Sequence, residues 1–288
     1  MELRTLKYFL TVADEENITK AANLLYITQP TLSRQLMQLE EELGTKLFKR
    51  SKYKVILTEE GKLLKSKAKE IIAISEKIKQ DFSKEDKMIS GKINIGCGET
   101  KSMTFLSKKI SSFRKKYPMV QFNIYSANAD DVKDRIEKGI LDIGLLTKPV
   151  DIEKYEFIRM PEKEVWGILV NKNSNLAGKN FVSPKDLLNY PLIIAERDKV
   201  QSELKNWFGE FYEKIEVAAT YNLILNGINM VKNGVGVALC INFDNIYNNL
   251  SFIPLSPKLE TGSVVVWKKN QLFSKTSLEF INYLKNRD

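Results

Sequence analysis

Between Ile18 and Gly44 the sequence reads ITKAANLLYITQPTLSRQLMQLEEELG, which leaves room for two helices and almost nothing between them. Thr28 is a residue type that caps helix N-termini. Pro30 falls in the first turn, where a missing N–H costs little. Stepping about 100° per residue from Gln29 puts Leu32, Leu36, Leu39 and Leu43 on one arc, the buried face. Pro30, Arg34, Met37 and Gln38 fall opposite, Thr31 and Ser33 flank them, and Gln35 lies toward the buried side. Gly44 supplies a C-terminal stop. Upstream, Ala21, Ala22, Leu24 and Leu25 are the small or apolar residues a close helix crossing needs, and Tyr26-Ile27-Thr28 is the whole connection. Leu6, Phe9, Leu10 and Ala13 mark a further amphipathic helix. Three short helices with a tight turn before the third make a helix-turn-helix.

The polar face of the third helix then needs something to touch. Gln and Arg can pair bidentately with base edges, and Ser and Thr reach bases or phosphates. An ordinary solvated face would look the same on a lone helix, but here KLFKRSKYKVILTEEG follows. Leu47-Phe48 and Val55–Leu57 read as two short strands around a basic turn carrying Lys49, Arg50, Lys52 and Lys54. From Lys46 to Lys69 there are nine basic residues against two acidic ones, a phosphate-facing footprint. The net charge of +9 agrees but says less, because AT-rich coding bias would produce the same excess of lysine.

LKYFLTVADEENITKAANLLYITQPTLSRQLMQLEEELGTKLFKR followed by VILTEEG resembles the N-terminal domain of LysR-type transcriptional regulators. The shared elements are Ala-Ala, Gln-Pro, Leu-Ser-Arg-Gln, Leu-Glu, Gly, Leu-Phe-x-Arg and Leu-Thr-x-x-Gly. Tyr26 stands where the family commonly has histidine, and Ile27-Thr28 where Val-Ser is common. The resemblance implies that Gln29, Pro30, Ser33, Arg34 and Gln35 face double-stranded DNA and that Arg50 makes a minor-groove or phosphate contact. Thr31, Gln38 and Lys52 join them as DNA-binding candidates from the helix wheel and the basic turn.

After Thr58 the chain runs to about Ser83 with no proline and one glycine, in the first turn. Thr58 caps, and Glu59 and Glu60 suit the positive end of the dipole. Leu64, Ala68, Ile71, Ser75, Ile78 and Phe82 repeat at spacings of four and three, a coiled-coil seam interrupted by Ser75. Leu64, Ala68, Ile71, Ile78 and Phe82 are therefore the dimerisation candidates. The resemblance agrees, implying a homodimer or a dimer of dimers whose paired heads meet a pseudo-palindrome. SKEDKMISGK reads as a hinge.

From Lys92 strands and helices alternate, which means an α/β domain with a largely parallel sheet. KINIG, MVQFNIYS, LDIGLL, VWGILV, PLIIA and IEVAA are strands, and the segments between them are helical at TFLSKKISSFRKKY, ADDVKDRIEKG, VQSELKNWFGEFY and LILNGINMVKNG. GSVVVWKK and SLEFINYLKN add a strand and a closing helix. FRKKYPMVQFNI, EKGILDIGLL and VKNGVGVAL resemble the family's effector-binding domain, a two-lobed fold related to type II periplasmic binding proteins. The expected layout is a winged helix-turn-helix over 1–58, a linker helix and hinge over 59–87, and an effector domain over 88–288. Lobe one takes 88–161 and 266–288, and lobe two 162–265. A small effector is expected between the lobes, at strand C-termini and helix N-termini. The candidates are Thr100, Ser102, Asn128, Thr147, Glu196 and Asn222.

The residues missing from the chain narrow its chemistry. There is no histidine, so the usual general base, the Ser-His-Asp triad and most zinc sites are absent. Cys97 and Cys240 lie far apart and form no metal-ligand spacing. GCGETK, from Gly96, lacks the third glycine of a dinucleotide fingerprint. No catalytic residue, metal or cofactor is expected, so the reading is a regulator and not an enzyme. The first residues have no signal-peptide anatomy and no apolar run approaches a membrane span, so a cytoplasmic protein without a membrane partner is expected. Two readings of the cleft stay open: an effector-controlled one, and a constitutive regulator whose cleft is vestigial or redox-responsive through Cys240.

Overall fold

The computed structural model describes residues 1–50, 54–81, 89–243 and 249–286. The chain divides into two compact units, Met1–Lys84 and Glu85–Asp288.

The first unit holds α1 (Leu3–Glu15), α2 (Ile18–Leu24), α3 (Gln29–Leu43), β1 (Phe48–Arg50), β2 (Val55–Leu57) and α4 (Glu59–Asp81). Its core is Leu6, Phe9 and Val12 from α1, Ala21 and Ala22 from α2, and Leu32, Leu36 and Leu39 from α3, closed by Leu47 and Ala68. The alanines let α2 cross close to its neighbours. Thr28 caps α3, accepting from the Thr31 N–H, and Gly44 ends it at φ 66°. Leu43 is exposed, because the core ends a turn earlier at Leu39. The turn between α2 and α3 bends through Tyr26, whose φ of 55° is rare for a side chain of its size. β1 and β2 pair antiparallel as a wing, Phe48 opposite Leu57.

The second unit holds β3 (Gly91–Cys97), α5 (Ser102–Lys116), β4 (Val120–Ser126), α6 (Ala129–Glu137), β5 (Ile143–Thr147), β6 (Tyr155–Asn171) and β7 (Pro191–Ala195), then α7 (Asp198–Phe208), β8 (Glu216–Tyr221), α8 (Ile224–Lys232), β9 (Val237–Ile241), β10 (Leu250–Pro254), β11 (Glu260–Lys268) and α9 (Lys275–Lys285). The strand order is β4-β3-β5-β11-β6-β9-β7-β8, with β10 also on β6. β3 runs parallel to β4 and β5, and β7 parallel to β8 and β9. The expected largely parallel sheet is mixed, because β6, β10 and β11 run antiparallel to their neighbours.

β6 is 17 residues long, far beyond the VWGILV segment legible in the sequence. Tyr155–Arg159 pairs with β11 in lobe one, and Trp166–Leu169 with β9 in lobe two. β6 and β11 are thus the two crossings between lobes, which explains their reversed direction. β11 shifts register between Gly262 and Val264, and Ser263–Val266 pair with β5. Val264 and Val265 pack into lobe-one clusters. On β11 the register shift and the packing of Val264 and Val265 place the change of neighbours near Gly262, three residues before the break expected after Val265.

Candidate DNA-reading surface and interlobe cleft

On α3, Gln29, Pro30, Thr31, Arg34 and Gln38 are exposed, while Ser33 and Gln35 are half-buried. The first turn is pre-ordered. Thr28 and Thr31 share a hydroxyl hydrogen bond of 2.8 Å, and the Gln29 amide donates to Ser33 Oγ at 2.8 Å. Gln35 leans inward as its wheel position required, accepting from the Thr5 hydroxyl at 3.4 Å. Arg50 lies in the backbone of β1, while Lys52 lies outside the described residues.

The wing is tied to α3 by a residue whose role the sequence did not announce. Glu40, on the buried side of α3, accepts on Oε1 from the Leu47 and Phe48 N–H groups at 2.9 and 3.2 Å. Its Oε2 takes Lys46 at 2.7 Å. Burial pushes its pKa up, but Lys46 and the two backbone donors outweigh that, and the net position is below the usual 4.5. Thr58 caps α4, accepting from Gly61 N–H at 2.9 Å and donating to Lys46 C=O at 2.7 Å. At Gly61 an added Cβ would lie 2.2 Å from the Leu47 carbonyl oxygen, so helix and wing meet there backbone to backbone.

The seam on α4 divides. Ala68 is fully buried and Leu64 half-buried in the head's own core, against the helices of the same chain. Both were dimerisation candidates, and a periodic apolar stripe does not by itself say which chain covers it. Ile71 and Ile78 remain exposed, joined by Leu63 and Ile74. Phe82 lies outside the described residues.

In the second unit the lobes enclose a cleft of about 660 Å³, open solvent at its mouth included. Its apolar wall includes Leu145, Trp166, Val200, Ile224, Ile241 and Phe243. Asn128, Thr147 and Asn222 supply polar lining. Of the six effector candidates these three reach the cleft. Glu196 stands beside it, accepting from the Asn128 amide at 3.5 Å across the lobes. Thr100 and Ser102 are not among the lining residues; both donate to buried Glu164. Asn128 already serves as the α6 cap, its Oδ1 accepting from the Asp130 and Asp131 N–H groups.

Two further straps cross between lobes. Arg197 of lobe two donates to Asp130 Oδ2 at 2.9 Å and to the Pro149 carbonyl at 3.0 Å in lobe one. The Leu225 N–H, at the start of α8, donates to Glu99 Oε2 at 3.1 Å. The helix N-terminus favours that negative charge.

Residues 87–288 match the family described as LysR substrate binding domain, and residues 3–62 the bacterial regulatory helix-turn-helix proteins of the lysR family. The chain belongs to the LysR family. It is a DNA-binding transcriptional regulator carrying an effector-binding domain. It is 27% identical over 290 residues to the HTH-type transcriptional regulator YoaU of Bacillus subtilis, covering 99% of this chain and 98% of that one. It is 28% identical over 242 residues to the transcriptional activator IlvY of Salmonella typhimurium, covering 83% and 82%. In fold it matches the LysR-family regulator CbnR, crystallised with its target DNA, at a TM-score of 0.74 and 17% identity, over 99% of each chain.

Within this LysR-family chain, Cys240 lines the cleft but is buried, and burial alone pushes its thiol to about 12. Burial first, and the Glu99 charge second, raise Cys97 as well. Both thiols stay protonated at neutral pH, whereas reactive cysteines have depressed values. Arg197 and Trp166 line the cleft as well, and of the two the sequence reading missed Trp166. Arg197 had a signal, its place at a strand end. Trp166 had none, because an apolar strand residue reads as core.

Proposed function

We propose that this LysR-family regulator reads DNA with the exposed edge of α3 and is switched by a small effector in the interlobe cleft. One observation supports the first half above the others. Gln29, Pro30, Thr31, Arg34 and Gln38 form a solvent-facing row whose first turn is already held by side-chain hydrogen bonds, with a basic wing tied to the same helix. Arg34 is the strongest candidate for a base edge, because its fork pairs bidentately with guanine. Ser33 and Gln35 add contacts from the flank, and Arg50 and Lys52 add phosphate or minor-groove contacts.

Asn128, Thr147 and Asn222 supply the polar contacts to the effector, with Glu196 at the rim. The straps through Arg197, Glu99 and Asn128 set the lobe closure that the effector alters. An effector acts only through its different affinity for the two closures. The protonated thiols weigh against the redox reading. The chain carries out no catalysis and works in the cytoplasm with its DNA. Ile71, Ile74 and Ile78 on α4 join two chains, so that two heads meet two half-sites.

The test is selection of duplexes from a randomised pool by the full chain. Recovered duplexes should share a motif repeated with two-fold symmetry. A pool that stays random after repeated rounds contradicts sequence reading by α3.

A further inference from the structure

The N-terminus of α5 has the makings of an acid-holding position, with the Thr100 and Ser102 hydroxyls ahead of a helix dipole. Here the chain fills that position itself. Glu164 on β6, fully buried, accepts on Oε1 from Thr100, from Ser102 Oγ at 3.0 Å and from Ser263 Oγ at 3.1 Å. Ser263 is within 3.2 Å of Thr147 Oγ1, and Thr147 lines the cleft. An acid arriving at this end of the cleft has a carboxylate behind Thr147 and Ser263 instead of free hydroxyls, and two close carboxylates repel.

Trp166 is an independent second observation. It lies two residues along β6 from Glu164, on the same face of the strand. It is 5% exposed, lines the cleft, and its indole Nε1 is buried with no hydrogen-bond partner among the described residues. Glu164 Oε2 is likewise buried with none among the described residues. An indole N–H can only donate, and buried donors in native proteins are almost always paired. Among lining residues that include polar Asn128, Thr147 and Asn222 and charged Glu99, Lys148 and Arg197, the Trp166 indole is therefore a buried donor awaiting an acceptor, set in an apolar stretch of the wall.

We propose that Glu164 is a built-in occupant of the acid-holding position in lobe one. The cleft consequently selects an uncharged, largely apolar ligand whose acceptor receives the Trp166 indole N–H. The inference rests on the reading that the interlobe cleft is the effector site.

The experiment is a melting-temperature screen of the full chain with matched pairs that differ only in the acid group, such as butyrate and butyramide, benzoate and benzamide, or phenylacetate and phenylacetamide. At concentrations well above Kd, amides should raise the melting temperature by several degrees while their acids do not. Trp166→Phe keeps the ring, removes the N–H, and should abolish the amide shift. In Glu164→Ala, formate or acetate should restore a lost melting temperature where chloride does not, by refilling the vacated position. Should that variant fail to fold, Glu164→Gln keeps the acceptor without the charge, and acids should now bind comparably to amides. Acids that stabilise the native chain while amides do not would overturn the inference and leave the cleft reading standing. A blank with both classes across the panel would overturn the cleft reading and the inference together. Equal restoration of Glu164→Ala by chloride and acetate would remove the built-in occupant.

Discussion

Glu40 and Gly61 hold the wing against the helices of the head. Glu40 satisfies two backbone N–H groups of the wing, so Glu40→Ala leaves them without an acceptor and should cost about 1–3 kcal/mol. The loss should show as faster amide exchange at Leu47 and Phe48. Its acid response follows from a native value held below 4.5. The stabilisation is fully present above that value and is lost as pH falls through the lower native one. The head of the native chain, followed by circular dichroism, should therefore lose stability more steeply below about pH 4.5 than that of Glu40→Gln. At Gly61 the obstacle is a backbone carbonyl that cannot rotate away. Gly61→Ala should cost about 1–3 kcal/mol and loosen the first turn of α4, as read by exchange at the same amides.

At the scale of elements, α4 and the interlobe straps make separate predictions. Ile71, Ile74 and Ile78 lie on one exposed stripe with spacings of three and four. Ile74→Asp with Ile78→Asp places charges on that stripe without touching the head core, where Leu64 and Ala68 sit. Sedimentation should then show a smaller assembly with unchanged helix content; an unchanged assembly would move the interface elsewhere. In the second unit Arg197 holds lobe one by two bonds, with its side chain only 10% exposed. Arg197→Ala should widen the cleft, read as faster exchange at the start of α6 and around Pro149, while the lobe cores stay protected. The elements that follow strict local rules were legible in the sequence. α3 begins after Thr28 and ends at Gly44, both by recognisable capping chemistry. What escaped was long-range. The length of β6 depends on two lobes sharing one strand, and the burial of Leu64 and Ala68 depends on which helix reaches the seam first. Glu164 is legible only as a charge in a strand until the fold brings Thr100, Ser102 and Ser263 to it.

The whole molecule combines a basic reading head with an effector domain, and its DNA binding should be governed by both charge and shape. Phosphate contacts should make affinity fall by about 10³-fold between 50 and 200 mM salt, measured on any duplex. Base contacts should set the preference of a selected duplex over a scrambled one. Those two quantities separate the roles of the wing and of α3, and Arg34 decides between them. The most direct measurement is the ratio of affinities for selected and scrambled duplexes, taken for the native chain and for Arg34→Ala at one salt concentration. Arg34 is exposed and lies off the head core, so the variant should melt where the native chain does. The ratio should drop by roughly 5- to 150-fold, with a smaller loss on the scrambled duplex. An unchanged ratio in a folded variant would contradict the claim that the exposed edge of α3 reads the sequence.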